Sequence, residues 1–402
     1  MTPGRPLRVG IPIIGSANWM GGVLYIELLV KALSNLPASE RPELSLIVTA
    51  DTRANLALHE TILHRVDQVV CVGRQLPQFP ELAHVRDHGE LLSRLDFFFP
   101  LLSQAWPNAK VASWIPDFQH MHLPRFFHES ERRTRSESFA RIAAEARLLV
   151  LSSEDARSDF EQFHPDSRIP TRVLPFHVLP DETWYAADCR EVQRRYGLPD
   201  AFLICCNQLW IHKNHVMLLH AVARLREEGV KITLVCTGPT SDYRVSGFFD
   251  AIKKQMGELG IEHCVHFLGN IPRQDQIQLV RRAMALVQPS LFEGWSTVVE
   301  DCRALGKTMI LSNLAVHHEQ APRHAVYFDR NRLDSLVAVL REHLPRLSPG
   351  PHEGQEVMAR AEAPALVQSF ARRFCSIARD AQLLLAGHEL AVGHPAGNIT
   401  DF

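Results

Sequence analysis

The residues best suited to chemistry lie in one short stretch, residues 288–307, which reads QPSLFEGWSTVVEDCRALGK. An apolar run at 283–287 is typical of a buried strand, and the Pro-Ser pair after it ends a strand and opens a turn. A helical pattern follows at 298–305, and Gly306 stands where a C-terminal helix glycine belongs. The order strand, loop, helix predicts a loop at the carboxyl end of a parallel strand, where open α/β sheets bind ligands.

The groups in this loop suit a phosphate and several hydroxyls at once. Gly294 lets the backbone approach a ligand, and a helix that begins near Ser296 and Thr297 offers N–H groups and a dipole that attract an anion such as a diphosphate. Carboxylates accept hydrogen bonds from the neighbouring hydroxyls of sugars and riboses. The acids here are Glu293, Glu300 and Asp301. We therefore predict a nucleotide-sugar site; the alternative is an ordinary helix start with acids in its first turn.

This stretch resembles the signature of the family 4 glycosyltransferases of GT-B fold. That signature has Pro-Ser, then Glu-Gly, a second acid eight positions after the first, and Gly-Lys after the helix. Glu293 matches the first acid, which the resemblance implies holds the donor sugar. The second acid, implied to hold the ribose, falls in register on Asp301 with Glu300 just before it, and both stay candidates. Trp295 completes the donor-binding residues predicted here.

Composition limits the class of protein. The chain has 402 residues, of which 46% are hydrophobic and 22% charged, with a formal net charge of -2. These values predict a globular protein of two domains and argue against a nucleic-acid partner, which would call for a basic excess. The eight cysteines form no C-x-x-C pair and lie mostly in apolar runs. They favour reduced thiols in a cytoplasmic protein.

Targeting signals are not expected. The first eight residues are followed by only a short apolar run, which does not match a secretory signal. No run approaches the roughly 20 apolar residues that a membrane-spanning helix needs. We expect a cytoplasmic protein, with peripheral contact at the inner face of the membrane left open.

Apolar runs separated by breaks predict two Rossmann-like α/β halves. In the first half the runs are at 7–13, 44–50, 68–72, 95–100, 110–115, 147–151 and 172–175. In the second half they are at 201–206, 231–236, 265–271, 307–312 and 325–328. An amphipathic helix at 363–385 follows. The predicted domains are residues 1–180, residues 181–362, and a crossover helix with a tail at residues 363–402.

A glycine-rich loop follows the first predicted strand and opens a helix. Its spacing is not the G-x-G-x-x-G of dinucleotide-binding proteins, so a nicotinamide dehydrogenase is not expected. A plain turn between strand and helix is the alternative. By resemblance to the family, Gly21 and Gly22 face the donor diphosphate across the cleft.

A second loop of the first half, PDFQHMHLP at 116–124, follows the strand at 110–115. Acids and imidazoles at the carboxyl end of a strand are typical of site residues, although a surface loop also tolerates them. Many relatives have His-Asp here, where this chain has Pro-Asp. The resemblance implies that Asp117 and His120, with His122 third, contact the donor sugar.

The loop NQLWIHKNH at 207–215 opens a helix in the second half. Lys213 is placed to hold a phosphate as a point charge; a solvated lysine is the alternative. In the family this loop carries an Arg and, five positions on, a Lys, both on the diphosphate. Lys213 matches the lysine, whereas Gln208 stands where the arginine would be, so one positive charge is missing. A later loop, which packs the nucleobase in the family, adds Gly269, Asn270 and Ile271.

The resemblance implies the GT-B fold: two Rossmann-like domains facing across a cleft, with the last helix returning to the first domain. It implies a retaining transferase that moves a sugar from a nucleotide-diphosphate donor to a saccharide or lipid-linked saccharide acceptor, in surface polysaccharide or glycoconjugate synthesis. No metal and no cofactor other than the donor are expected. The residues assigned catalytic roles are Asp117, His120 and Glu293.

Two other function classes stay open from the sequence. One is a nucleotide-sugar epimerase or hydrolase on the same fold, and the other is a non-catalytic binder, which the departures at Pro116 and Gln208 favour. A His-His-Glu run at 317–319 suggests a metal site, but no third ligand is suitably spaced and such residues are common at helix starts.

Overall fold

The computed structural model describes residues 5–17, 19–74 and 82–388. Two predicted features therefore lie partly outside the described residues: the C-terminal tail at 389–402, and the glycine-rich loop at its residue Asn18. None of the helices in the described ranges combines the length and apolar character that a membrane span needs.

The first half forms a parallel sheet with helices on its faces. Its strands are Arg8–Pro12 (β1), Glu43–Thr49 (β2), Gln68–Val72 (β3), Ala83–Val85 (β4), Phe97–Leu102 (β5), Val111–Ile115 (β6), Leu149–Leu151 (β7) and Thr171–Val173 (β8). Their order is β4-β3-β2-β1-β5-β6-β7-β8. Register is shown by Val9 of β1, which pairs with Leu44 of β2 and Phe97 of β5. Parallel strands need crossover connections. Helical segments provide them between β1 and β2, β2 and β3, β4 and β5, β6 and β7, and β7 and β8, whereas residues 103–110 join β5 to β6 without a helix.

The helices of the first half and of the connection to the second follow the strands in alternation. They are Met20–Ser34 (α1), His88–Arg94 (α2), Gln119–His122 (α3), Glu129–Glu145 (α4), Glu154–Phe163 (α5), Glu182–Ala186 (α6) and Cys189–Arg195 (α7). Segments of 3-10 helix lie at Arg53–Arg65 and Pro124–Phe126.

The second half forms its own parallel sheet, in the order β11-β10-β9-β12-β13-β14. Its strands are Leu203–Cys206 (β9), Leu234–Thr237 (β10), Val265–Phe267 (β11), Leu286–Gln288 (β12), Met309–Ser312 (β13) and Ala325–Phe328 (β14). Its helices are His215–Glu227 (α8), Phe248–Glu258 (α9), Arg273–Arg282 (α10), Thr297–Ala304 (α11), Ala315–Gln320 (α12), Leu333–His343 (α13) and Glu353–Leu385 (α14). Short 3-10 turns lie at Ile211–Lys213 and Leu344–Arg346.

The apolar composition of the central strands explains why these segments form buried sheets. Every residue of β6 and β9 is buried. Strands covered by helices on both faces read as continuous apolar runs, as these do, rather than as an alternation of apolar and polar residues. The carboxyl ends of β6 and β9 are therefore fixed by large apolar contacts, and the loops that follow them are held in place.

The last helix, α14, returns to the first half, as predicted. It begins at Glu353, directly after the Pro-Gly-Pro break, and packs against α1, β5 and β6. The ring of Phe374 lies edge-on to Phe97 and Phe99, with centroids 5.6 and 5.7 Å apart. Because these aromatic rings are buried, α14 holds the two halves in one arrangement.

A cap supplied by the second half also joins the two halves. The carboxylate of Glu319, on α12, accepts hydrogen bonds from the backbone N–H of Glu154 (2.8 Å) and of Asp155 (3.2 Å) at the start of α5. The N–H of Ala156 is satisfied within the first half, by the hydroxyl of Ser153 at 3.0 Å. A carboxylate at a helix N-terminus is favoured by both the free N–H groups and the dipole.

We predict that Glu319→Ala raises hydrogen exchange at the Glu154 and Asp155 amides by about fivefold, because a helix cap contributes about 1 kcal/mol. The Ala156 amide, capped by Ser153, is the internal control and is expected to keep its exchange rate. Glu319→Gln retains an acceptor oxygen, so its effect should be smaller. Residue-resolved exchange measurements test this, and equal acceleration of all three amides would contradict a cap at these two positions.

Candidate functional site

A cavity of about 480 Å³ lies between the two halves, at the carboxyl ends of both sheets. Loops after β6, β9, β10, β11 and β12 contribute to its wall. The structure brings the following predicted residues to that wall: Gly21, Asp117, Gln208, Lys213, Asn270, Ile271, Glu293, Gly294, Trp295, Ser296, Thr297 and Asp301. Most of the predicted site thus forms one crevice shared by the two halves.

Five predicted residues are not part of the cavity wall that the structure describes: Gly22, His120, His122, Gly269 and Glu300. Gly22 backs onto the ring of Trp19, where an added Cβ would lie 3.0 Å from the ring carbons. Gly269 supports the wall from behind, since its carbonyl accepts the N–H of Gly238 at 2.8 Å. Its positive φ of +68° favours glycine.

His120 is packed in an apolar environment instead of facing the cavity. It is 2% exposed, and its ring lies 5.2 Å from Phe139 and 6.4 Å from Phe127, centroid to centroid. Burial, with the charge of Arg135, lowers the pKa of His120 to about 4, so the ring is neutral near pH 7. The predicted sugar contact of His120 is not supported by this position. His122 pairs with Asp159 at 2.8 Å.

An ion pair between Lys213 and Glu293 lies at the centre of the site. The Lys213 Nζ donates to both carboxylate oxygens, at 2.7 and 2.8 Å, and the side-chain amide of Gln288 donates to Oε1 at 2.8 Å. The Lys213 side chain is 15% exposed and that of Glu293 is 7% exposed. Burial is the largest single influence and raises the pKa of Glu293, but the charges of Lys213 and His317 and the hydrogen bonds from Lys213 and Ser290 together outweigh it and hold that pKa below its usual value.

A buried amide pair orients this carboxylate. Gln288 is the last residue of β12 and is fully buried. Its Oε1 accepts from Asn207 Nδ2 at 2.8 Å, and its Nε2 lies 3.2 Å from Asn207 Oδ1. The sequence suggested Asn207 as a hydrogen-bond donor to the phosphate, but not its pairing with Gln288. A glutamine at the end of an apolar strand is itself a signal, because a buried amide needs partners.

Each half directs a helix N-terminus into the cavity. In the first half α1 begins at Met20, and Met20 and Gly21 line the wall. In the second half α11 begins at Thr297, next to Ser296. At these two starts the side chains of the N-cap residues, Trp19 and Ser296, make no cap hydrogen bond. Since the first amides of a helix have no intrahelical acceptor, the two ends form an anion-binding environment.

The structure separates the two candidate acids of α11. Asp301 lines the cavity, where it pairs with Arg273. Both residues are 1% exposed, so their partners decide between them: Glu300 points away from the cavity, with Oε2 2.8 Å from the Nδ1 of His177 and Oε1 2.9 Å from the amide of Gln320. Of the two, Asp301 is therefore the one that can reach a ligand in the cavity.

Close approach of the two halves depends on Gly294. A Cβ at this position would lie 2.7 Å from the carbonyl oxygen of Pro116 and 2.9 Å from the Cβ of Asp117. The Asp117 carboxylate accepts the N–H of Gln119 at 2.9 Å, but burial is the larger effect and raises the pKa of Asp117. Asp117 and Glu293 thus face the same space from opposite halves.

Aromatic rings cover the first-half side of the cavity, and the sequence patterns did not reveal them. Tyr25 stacks on Trp114 with centroids 4.3 Å apart, and Trp114 Nε1 donates to the hydroxyl of Ser152 at 3.1 Å. From the second half, the Trp295 Nε1 donates to the carbonyl of Phe176 at 2.9 Å. These contacts fix the wall, because the polar atoms of both tryptophans are satisfied.

The side chains of the His-His-Glu run at 317–319 have partners within the protein. Among residues 5–17, 19–74 and 82–388, no group of three His, Cys, Asp or Glu side chains suits a metal ion. His317 of the His-His-Glu run bonds the carbonyl of Ser312 at 2.8 Å, and Glu319 caps α5. The expectation that the reaction needs no metal stays a prediction.

Comparison with known proteins places this geometry in context. Residues 191–344 match the family model described as Glycosyl transferases group 1. This region is less than half of the chain, but it contains Lys213, Glu293 and Asp301. The match supports glycosyl transfer for this half. A comparison with curated protein sequences gives no match.

Solved structures resemble the chain along nearly its whole length. Anabaena HepE in complex with UDP-glucose is 15% identical, with a TM-score of 0.60 over 94% of this chain and 99% of that chain. Sucrose-phosphate synthase from Thermosynechococcus elongatus is 12% identical, with a TM-score of 0.60 over 95% and 98%. A glycosyltransferase from Rickettsia africae is 13% identical, with a TM-score of 0.59 over 94% and 98%.

The fold is GT-B. At these identities the likeness concerns the fold, and it confirms the predicted pair of Rossmann-like halves with a returning C-terminal helix. In a GT-B protein the strand ends of both halves face one interdomain cleft, which is where the cavity lies. The finer assignment to family 4 stays a prediction.

Proposed function

We propose that this protein transfers a sugar from a nucleoside-diphosphate donor to an acceptor hydroxyl, with retention of the anomeric configuration. The observation that carries the proposal is the meeting of two helix N-termini, the Lys213–Glu293 pair and Asp301 in one interdomain cavity. Cations and free amides suit a diphosphate, and carboxylates suit the hydroxyls of a sugar and a ribose. The solved HepE structures hold UDP and UDP-glucose, which fits the same class of donor.

The wall suggests an order of contacts along the donor. Asn270 and Ile271, after β11, face the nucleobase, and Asp301 faces the ribose. The diphosphate lies by Lys213 and between the amide-rich starts of α1 and α11. The sugar lies by Glu293 and Asp117, which contact its hydroxyls from opposite sides. The acceptor enters on the first-half side, beside Asp117 and Gln119.

The transfer step depends on the negative charge that develops on the leaving diphosphate. As the bond from the anomeric carbon to the diphosphate oxygen breaks, its electron pair and the growing negative charge move to the diphosphate. Lys213 and the first amides of α11 are preorganised to stabilise that charge. The acceptor oxygen bonds the same face of the anomeric carbon, and its proton passes to the leaving phosphate oxygen. A separate protein base is not required for this sequence of steps.

Glu293 has a positioning role in this scheme. Ionised and held by Lys213 and Gln288, it accepts hydrogen bonds from sugar hydroxyls and fixes the anomeric carbon against the leaving oxygen. Asp117 performs the matching task from the first half. We further propose a saccharide or lipid-linked saccharide acceptor, and a role in surface polysaccharide or glycoconjugate synthesis at the inner face of the membrane.

Product analysis with and without an acceptor tests the proposal. We expect the purified protein to release nucleoside diphosphate from one member of a nucleotide-sugar panel, at a rate that rises strongly when a saccharide acceptor is added. NMR of the product should show an anomeric configuration equal to that of the donor. Free sugar formed at the same rate without acceptor would instead identify a hydrolase, a rearranged nucleotide-sugar an epimerase, and ligand-induced stabilisation without turnover a binder.

A further inference from the structure

Arg273 is a cavity cation that neither the sequence motifs nor the proposed mechanism uses. It is the first residue of α10, lines the cavity, and keeps 35% of its side chain exposed. Its guanidinium lies 5.5 Å from the centre of the Trp184 ring and donates to Asp301 and, at 3.0 Å, to Gln276. The group is thus supported on one face and two edges while part of it remains accessible to solvent.

The cavity wall has few positively charged side chains to balance the negative charge of a diphosphate. Among the described residues that line the wall, the lysine and arginine side chains are those of Lys213 and Arg273. The Nζ of Lys213 is already shared by both oxygens of Glu293. A diphosphate brings at least two further negative charges, and position 208 holds a neutral glutamine. Arg273 is the remaining side chain that can balance this charge.

Arg273 is linked to the strand ends from which the phosphate loop leaves. Gln276, its neighbour on α10, donates to the hydroxyl of Thr237 at 3.0 Å, at the end of β10. The N–H of Asn207 donates to the carbonyl of the same threonine at 3.0 Å, and Gln208 follows directly. Arg273 is therefore joined to the start of the loop at 207–213 through Gln276 and Thr237, and both Arg273 and this loop line the cavity.

We propose, on the basis of the function proposed above, that Arg273 binds the donor diphosphate by exchanging partners. In this structure it pairs with Asp301. When the donor enters, the planar guanidinium turns its N–H groups to phosphate oxygens, whose geometry it matches in two-point contacts. Asp301 is then released and accepts the ribose hydroxyls. One charge-assisted bond replaces another, so both the cation and the carboxylate stay paired in each state.

Calorimetric titrations separate the phosphate from the nucleoside. UDP, GDP, ADP and dTDP, their nucleosides and inorganic diphosphate are titrated into the wild type and the variants. For the nucleotide that the wild type prefers, we expect R273Q to weaken diphosphate-containing ligands by about tenfold to a hundredfold, the range for hydrogen bonds to charged groups. Nucleoside affinity is expected to change by less than about threefold, within the range of a lost neutral contact.

Three further variants sharpen the test. R273K keeps a positive charge and is expected to retain part of the diphosphate affinity. D301N releases Arg273 from its partner, so it should bind inorganic diphosphate more tightly and the nucleoside more weakly. R195Q removes an arginine that pairs with Asp275 outside the described cavity wall, and is expected to behave as wild type. Thermal unfolding curves verify that each variant is folded.

The two proposals fail in different ways. Equal losses of nucleoside and diphosphate in R273Q, or no loss of diphosphate, would overturn the role of Arg273 while leaving glycosyl transfer intact. Weaker inorganic diphosphate binding in D301N would overturn the exchange of partners. If the wild type binds no nucleoside diphosphate, the proposed function and this inference fall together.

Discussion

Replacing Lys213 by methionine is expected to lower the turnover of sugar transfer by about a hundredfold to a thousandfold, the range seen when one donor that stabilises a leaving oxyanion is removed. The same change removes the partner of Glu293, whose side chain is 7% exposed. Breaking a buried ion pair leaves an uncompensated charge, so we expect the free energy of unfolding to fall by about 3 kcal/mol. Donor kinetics and thermal unfolding measure the two effects.

A double variant separates catalysis from stability. Lys213→Met combined with Glu293→Gln leaves no buried charge, and the glutamine oxygen can still accept the N–H of Gln288. We expect the double variant to regain most of the lost stability but none of the lost activity. Recovery of activity together with stability would show that Lys213 is only a structural partner, which contradicts the proposed role on the diphosphate.

The pH dependence of stability should change sign in the single variant. In the wild type the pKa of Glu293 lies below its usual value, so its contribution is present above the unfolded pKa and is lost as pH falls through the folded pKa. Without Lys213, burial dominates and raises the pKa of Glu293. Stability should then fall as pH rises from the unfolded pKa to the raised one, and the acid limb of activity should move to higher pH.

Much of the fold follows from patterns that the chain shows directly. Continuous apolar runs predicted most strands within a few residues, and those at 68–72 and 325–328 coincide with β3 and β14. Such runs are informative because buried parallel strands leave no polar face. The three-residue strand β4 was missed, since its burial is mixed and its length is too short for any period to be visible.

The site was predictable where chemistry and backbone constraints act together. Glu293, Gly294 and Asp301 belong to one loop and helix, so their spacing fixes their neighbourhood, and the structure brings them to one cavity. His120 was different, because an imidazole after a strand suits both a ligand contact and an apolar pocket. Phe127 and Phe139 decide between these, and they come from α4 and the loop before it. Local sequence does not encode that packing.

Arg273 is a site residue that the sequence did not predict. No spacing links the start of α10 to the middle of α11, yet the fold places Arg273 against Asp301. Helix α10 follows β11 and helix α11 follows β12, two strands that are consecutive in sequence but are separated in the sheet by β10 and β9. The pairing of Arg273 with Asp301 therefore depends on the order of the strands in the sheet. Ion pairs between distant segments are therefore the part of this site that a sequence alone does not reveal.

The neighbouring acids of α11 provide the sharpest test of the donor geometry. We expect Asp301→Asn to weaken nucleoside binding by about tenfold to a hundredfold, because hydrogen bonds from ribose hydroxyls to a charged acceptor contribute about 1.5 to 3 kcal/mol. Donor binding should weaken by less, because the released Arg273 is free to bind the diphosphate. Glu300→Gln, one residue away, is expected to leave donor affinity within about threefold of wild type. Calorimetric titration of the preferred nucleoside diphosphate and its nucleoside measures both changes.

We expect Glu300→Gln to reduce the stability of the protein more than Asp301→Asn does, which is the reverse of their effects on donor binding. Burial alone raises the pKa of Glu300, but His177 and Arg303 outweigh it and keep that pKa below its usual value. The His177 pair joins the two halves at 2.8 Å. Glu300→Gln weakens this contact, so we expect it to lower the free energy of unfolding by about 1 to 3 kcal/mol. Asp301→Asn should cost less, because burial raises the pKa of Asp301 and so already disfavours its charged form. If Glu300→Gln lost the donor while Asp301→Asn kept it, Glu300 would be the ribose-binding acid and the donor would lie differently from the arrangement proposed.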